Sequence, residues 1–238
     1  MPTESAGPRA ELAEKMAGEI TLSEEPGATL KKWRTDFEVT QTELADELDV
    51  SSSVMSDYES GRRENPGIGV VSRLVTGLLD IEDSRGGERI RQYGRVLSAG
   101  FESDIVLDLM EYSSTVSLDS FYDCADATEI TRGDRDVISG HTVIDSIQAI
   151  TRLSSDQFYR LYGQSTNRAM VFTNVSRGES PLVALRVVNP KPNAVILHGL
   201  DEDELWDHAE SLAAIDGFSL ATSNAALDVF LESIRGLP

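Results

Sequence analysis

The sequence predicts two domains of different class, an all-α domain followed by an α/β domain. Three observations carry this. From Ala28 to about Ile81 apolar residues recur at helical spacing in short pieces, with no strand-like run. Gly86-Gly87 then interrupts the pattern. From Asp104 onward helical and strand-like segments alternate, as in a layered sheet with some parallel strands. The 238 residues suffice for two hydrophobic cores. The division reads 1–27, an N-terminal helix and turn; 28–82, the helical domain; 83–100, a connector helix; and 101–238, the α/β domain, expected to dimerise or bind an effector.

Taken in order, Arg9 to Ile20 places Leu12, Ala13, Met16 and Ile20 at helical spacing, with Pro8 suited to the start. Ser23 to Gly27 is a turn. Leu30, Trp33, Arg34 and Phe37 share a helix face. Thr40 precedes a helix Gln41 to Leu48, and Glu43 completes a capping box. Ser51 precedes a helix Ser52 to Ser60, closed by Gly61. Val70 to Leu79 is helical, with Val71, Leu74, Val75 and Leu78 inward, and Glu88 to Leu97 is the connector. Beyond it, Asp104 to Met110, Thr142 to Thr151, Asp156 to Tyr162, Glu202 to Ile215 and Ala225 to Ile234 read as helices. Ala169 to Val175, Leu182 to Val188, Ala194 to His198 and Phe218 to Thr222 read as strands.

Composition narrows the function classes. Apolar runs of about five residues fall far short of the roughly 20 that span a bilayer. No basic-then-apolar leader opens the chain, so a cytoplasmic protein is expected. A single cysteine, Cys124, excludes an internal disulfide and a cysteine-based zinc site, and the three histidines are widely spaced, so no metal site is expected. The net charge is −20, from 41 acids against 21 bases. By itself that charge opposes nucleic acid. Residues 28–99, however, hold 10 of the bases and 13 acids, a local −3 against −17 for the remainder.

Within that less acidic third, Thr40 to Pro66 reads TQTELADELDVSSSVMSDYESGRRENP. Ala45 is the small residue where two helices cross, and Leu44, Leu48, Val50, Val54, Met55 and Tyr58 form their shared core. Asp49 stands at a sharp turn requiring the left-handed region. This segment resembles the Cro/cI-type (XRE) helix-turn-helix, which usually has Gly at that turn. The family pairs an Arg in its first helix with a Glu late in the second motif helix, and Arg34 and Glu59 stand at the matching places. Gly61-Arg62-Arg63 and Pro66 match the following loop, whose bases face phosphates. The resemblance implies a recognition helix in the major groove, with Ser52, Ser53, Ser56 and Asp57 toward base edges. Thr40, Gln41, Ser51, Arg62 and Arg63 are the expected backbone anchors, with Gln41 at a helix N-terminus able to hold a phosphate. Lys31 and Lys32 either assist or are merely solvated.

The second half shows no nucleotide-binding glycine loop and no GxSxG nucleophile. His141 and His198, near strand ends, read either as ligand contacts or as ordinary loop histidines. Ser176 to Pro181 is expected to join two strands, as a plain hairpin or as an anion cradle around Arg177. Asn174-Val175-Ser176 forms a glycosylation sequon without meaning in an unexported chain. Gly140 to Ile150 and Arg168 to Val188 resemble the α/β half of archaeal regulators that carry an N-terminal Cro/cI domain, a group that includes the euryarchaeal archaellum regulators. The acid-rich, lysine-poor composition, with only Lys15, Lys31, Lys32 and Lys191, resembles haloarchaeal proteins. A sequence-specific DNA-binding transcriptional regulator follows as the expectation, a homodimer on double-stranded DNA, with no cofactor, no catalytic residue and no membrane. Two alternatives stand beside it: a DNA-tethered enzyme or ligand-sensing regulator, and an antitoxin-like scaffold whose helix-turn-helix binds protein.

Overall fold

The structure is a computed structural model that describes residues 7–63, 66–98, 100–102, 104–163 and 167–238. The chain divides into two compact units, 1–99 and 100–238.

The first unit is built from six helices among its described residues: α1 (Pro8–Leu22), α2 (Pro26–Asp36), α3 (Gln41–Glu47), α4 (Ser52–Glu59), α5 (Ile68–Ser84) and α6 (Glu88–Ser98). Its core gathers Leu12, Met16 and Ile20 of α1, Trp33 of α2, Leu44 and Ala45 of α3, Met55 of α4, Leu74, Val75 and Leu78 of α5 and Ile90 of α6. Tyr93 of α6 stacks on Phe37 at 6.0 Å and tilts against Trp33 at 5.4 Å. The segments 1–27 and 83–100, set apart in the sequence reading, therefore supply α1 and α6 to the core of this unit. Their apolar stripes have nowhere else to be buried. Arg9 ties α1 to Asp80 and Asp83 of α5. Glu38 and Asp49 both take positive φ, 53° and 52°, at the turns before α3 and α4.

The second unit holds a six-stranded mixed sheet. Its strands are β1 (Val106–Ser117), β2 (Ala127–Thr131), β3 (Val137–Asp145), β4 (Ala169–Thr173), β5 (Ala194–His198) and β6 (Ser219–Ser223), in the order β1-β3-β4-β5-β6-β2. The neighbours β3, β4, β5 and β6 run parallel, and β1 and β2 close the edges antiparallel. Helices α7 (Leu118–Cys124), α8 (Ser146–Arg152), α9 (Ser155–Gly163), α10 (Glu179–Val187), α11 (Ala209–Asp216) and α12 (Leu227–Arg235) complete it. Alternation along the strands sends Val143, Val171, Ile196 and Ala221 to one face, where they cluster with Phe121 of α7 and Phe230 and Ile234 of α12. The opposite set, Ile144, Phe172, Leu197 and Leu220, is equally buried. Right-handed crossovers between successive parallel strands put α8, α9, α10 and α11 over that second face.

Four expected elements are corrected; the first is Glu202 to Ile215, expected as one helix, which is a short 3-10 turn at Glu202–Glu204, extended at Leu205, and then α11. Asp104 to Met110, expected as a helix, enters β1: a short apolar run fits either period, and here Asp108 and Met110 take their places in the ladder with β3. Thr142 to Thr151 is divided, because Asp145 ends β3 and caps α8, its Oδ1 accepting from Gln148 N at 2.9 Å. Leu182 to Val188, expected as a strand, lies largely in α10, with Leu182 and Leu185 inward. Ser176 to Pro181 accordingly leads from strand to helix and forms no hairpin. Gly178 caps α10 with φ 80°, and a Cβ there would sit 2.3 Å from Leu197 Cδ1.

A buried polar chain fastens β1 to β3 and α12. Arg235 Nε donates to Asp108 Oδ2 at 2.6 Å, His141 Nε2 faces that oxygen at 3.6 Å, and the Tyr112 hydroxyl meets His141 Nδ1 at 2.8 Å. Burial pushes the Asp108 pKa up, but His141 and Arg235 outweigh it and hold the carboxyl below its ordinary range.

Candidate nucleic-acid interface

The second motif helix, α4, is placed by contacts from α2, and the turn that leads into it by α5. From α2, Arg34 Nε donates to Glu59 Oε1 at 2.5 Å and Nη2 to Oε2 at 2.9 Å. The Glu59 side chain is only 3% exposed and that of Arg34 12%. The third nitrogen, Nη1, donates to the Val39 carbonyl at 2.6 Å, so one guanidinium holds both the end of α4 and the turn before α3. The bond to Glu59 raises the Arg34 pKa against the opposing effect of burial. From behind, Gly27 lies so close that a Cβ would stand 2.2 Å from the Tyr58 carbonyl oxygen. At the turn that leads into α4, Leu48, just past α3, is packed by Gly77 of α5, where a Cβ would stand 2.9 Å from Leu48 Cδ2, and Arg73 donates to the Leu48 carbonyl at 2.6 Å.

Entry to the motif follows the sequence reading. Thr40 Oγ1 accepts from Glu43 N at 3.1 Å, and Thr40 N donates to Glu43 Oε2 at 2.8 Å. Arg85 of α5 donates to the other oxygen of Glu43 at 2.6 Å. Ala45 is buried at the crossing, and the backbone turns at Asp49 in the left-handed region.

Ser51, Ser52 and Ser53 stand exposed at the start of α4, and Ser56 and Asp57 are half-buried along it. Ser51 is the N-cap, but its side chain makes no capping bond and instead meets Ser53 Oγ at 2.8 Å. The first turn of α4 is therefore open toward solvent. Past the helix, Gly61 takes φ 72° and Arg62 and Arg63 project outward. Arg62 reaches back to Asp57 Oδ1 at 3.4 Å and to Ser60 Oγ at 3.2 Å. Arg63 lies over the Tyr58 ring, 5.2 Å from its centroid. Glu64 and Asn65, the two positions before Pro66, lie outside the described residues.

One expected anchor, Gln41, and Lys32, left open between assisting and being solvated, have other engagements. Gln41 Nε2 donates to Glu59 Oε2 at 2.8 Å, joining the ion pair, although its backbone still opens α3. Lys32 lies 3.7 Å from Glu19 and 5.4 Å from the Trp33 ring centroid. Arg85 and Arg89, counted among the bases of this third, are bound to the turn at residues 36–38 and to Glu43 and Glu38. Arg62 and Arg63 are exposed cations just past the end of α4. Sequence reasoning missed Gly27, Gly77 and Arg73; an unexplained glycine at a helix start was the available signal for the first.

In the α/β unit, an open cavity of about 700 Å³ lies past the ends of β5 and β6, lined by Asp126, Asp201, Glu202, Asp203, Ser223 and neighbouring residues. His198 packs edge-on against Phe230 at 4.9 Å, and burial lowers its pKa. His141 is enclosed in the polar chain of β1 and β3. Arg177 pairs with Glu179 at 3.7 Å and Asp207 at 3.4 Å. Among the described residues no group of three or more His, Cys, Asp or Glu is placed to hold a metal ion. No helix among them is long and apolar enough to cross a membrane.

Residues 26–79, from the start of α2 into α5, match a family described as a helix-turn-helix domain. An uncharacterised HTH-type transcriptional regulator of Methanocaldococcus jannaschii is 44% identical over 209 residues, covering 87% of this chain and 86% of that protein. Another, from Archaeoglobus fulgidus, is 41% identical over 224 residues, covering 94% and 96%. A crystal structure of the CBS and DRTGG domains of a Clostridium perfringens pyrophosphatase is similar at a TM-score of 0.38 and 16% identity, over 51% of this chain and 47% of that one. At that score no common fold follows.

Proposed function

Since the chain belongs to the HTH-type transcriptional regulators, we propose that it is a sequence-specific DNA-binding protein of the Cro/cI (XRE) type, with α4 as its recognition helix. The observation that carries this is the exposed serine turn of α4, held at its far end by Arg34–Glu59 and followed by outward Arg62 and Arg63. In this reading α4 enters the major groove by its N-terminal end. Ser52 and Ser53 offer hydroxyls that donate or accept, and Ser56 and Asp57 lie further along, Asp57 able to accept from cytosine N4. Arg62 and Arg63 neutralise phosphates, while Thr40, Gln41 and Ser51 sit at helix starts where backbone amides meet phosphate oxygens. On binding, Arg62 exchanges the 3.4 Å contact with Asp57 for phosphate, leaving that carboxylate free to accept.

One such helix reads only a few base pairs, so two copies act together on a two-fold site. We read the protein as a cytoplasmic regulator and not an enzyme, with kinship to the archaellum regulators and a haloarchaeal surface. The test is genome-wide mapping of bound sites, followed by fluorescence anisotropy on a recovered site in high KCl. Arg62→Ala is expected to weaken binding on all sequences alike, and Ser53→Ala to change preference at particular base pairs. If both variants bind like the parent protein, α4 is not the reading element.

A further inference from the structure

Apolar exposure is concentrated on one layer of the second unit. Ile147 and Ile150 of α8, Tyr159 of α9, Val183 and Val187 of α10, and Ile215 of α11 all lie outward and exposed. These helices cover one face of the parallel strands, and their inward residues, among them Leu182, Leu185 and Ala213, already fill the core there. The outer side of the layer thus mixes these apolar residues with charged ones such as Arg152, Asp156, Glu179 and Glu210, whereas a helix that meets water on its outer side is normally polar throughout that side. Of the four helices, α9, α10 and α11 lie side by side. Arg186 of α10 pairs with Asp216 of α11, and the Tyr159 hydroxyl of α9 donates to the carbonyl of Asn189, just past α10, at 3.4 Å.

Charge says what covers this layer. Residues 100–238 carry nine bases and 22 acids, a net of −13. The four helices hold Arg152, Arg160 and Arg186 against Asp156, Glu179, Glu210 and Asp216, a net of −1. Arg186 and Asp216 neutralise each other. Everywhere else a second copy of so acidic a unit meets like charge, which costs free energy on approach. Here it meets aliphatic side chains and balanced charge. A basic partner would find its complement on the other faces of the unit and not on this one.

We propose that the α8–α11 layer is the surface on which two copies of the chain pair, back to back, by an isologous contact centred on Val183, Val187 and Ile215. This rests on the reading that two copies act together, and it names the surface. The contact joins helix layers of the two second units.

The experiment is sedimentation velocity of the full chain in molar KCl, without DNA, on the parent and on Val187→Glu/Ile215→Glu. Val187 is 80% exposed and Ile215 71%, so neither change disturbs the core. The parent is expected at twice the 26.0 kDa chain mass and the double variant at 26.0 kDa, with an unchanged circular dichroism spectrum. Leu22→Glu, exposed on α1 of the other unit, is expected to stay paired. The double variant is also expected to bind a single half-site like the parent and to lose the advantage of a full two-fold site. A parent that sediments as a monomer, or a folded double variant that stays paired, overturns the proposal. Because the sedimentation readout needs no DNA, failure of the recognition-helix reading would leave it untouched.

Discussion

Arg34 holds both carboxylate oxygens of Glu59 across 25 residues of chain, and with its third nitrogen holds the Val39 carbonyl. The pair fixes where α4 ends relative to α2. Because the Glu59 side chain is 3% exposed, its charge has little water to fall back on. Arg34→Ala is therefore expected to destabilise the first unit by about 3–5 kcal/mol, as removal of one partner from a buried pair does. Chemical denaturation followed by circular dichroism measures it. Arg34→Met with Glu59→Leu, which removes both charges, is expected to recover most of that loss.

Asp49 bears a side chain where the backbone, at φ 52°, favours glycine. Asp49→Gly is expected to raise the stability of the first unit by up to about 1 kcal/mol, through relief of that conformation. A rise in the denaturation midpoint with unchanged DNA affinity checks it. A fall would mean that the Asp49 side chain makes a contact worth more than the relief.

His198 is buried against Phe230, and burial lowers its pKa. The folded state thus binds a proton less readily than the unfolded chain, whose histidine titrates at about 6.5. Stability contributed by neutral His198 is present above about pH 6.5 and is lost as pH falls from there toward the lowered folded pKa. A ring titration by NMR is expected to show a midpoint below 6.5, and His198→Leu a shallower loss of stability between about pH 6.5 and 5. A His198 midpoint at or above the ordinary value would sink the argument.

Salt dependence follows from the same charges that opposed DNA at the outset. At about 0.01 M salt the Debye length is about 30 Å, so the −20 of the chain repels a polyanion at a distance. Near 1 M it is about 3 Å, and only contacting groups such as Arg62 and Arg63 count. Binding is expected to stay flat or rise from dilute to molar KCl, where an ordinary repressor loses affinity steeply. Anisotropy on one site, with circular dichroism alongside, separates binding from folding. A steep monotonic fall with the fold intact at low salt would show that the acidic surface is no adaptation to salt.

The helical unit was largely legible because its information is local. Capping boxes, turn residues and the spacing of Leu44, Ala45, Val50 and Met55 act over a few residues, and the partnership of Arg34 with Glu59 came from the motif they frame. The α/β unit was legible in β4, β5 and β6 and in the helices α9 and α12. The run at Leu182 to Val188 is rich in branched residues yet amphipathic, and its helical state is decided by the sheet that Leu182 and Leu185 cover. Residues 111–141, which hold most of β1, all of α7 and β2 and the start of β3, gave no pattern, because their pairings are long-range and depend on partners such as Ser223 for Ala127 and Pro238 for Ser113. On α4, Ser52 and Ser53 and, past its end, Arg62 and Arg63 are exposed, as the spacing of the buried residues implied. That Gln41 would turn to Glu59 could not be read, since a side chain's choice between two partners depends on distances that spacing does not encode.

The edges of the mixed sheet bear on how the protein behaves at high concentration. A free strand edge is a template for further strands and hence for fibrils. Here one edge, β2, is only five residues long, and the other, β1, breaks register between Val106 and Asp108 and again between Glu111 and Val116. Ser113, within the second irregular stretch, has its amide bound to the Pro238 carbonyl at 2.9 Å. Neither edge offers a long, regular row of donors and acceptors, so at high concentration the sheet is a poor seed for open-ended growth through strands.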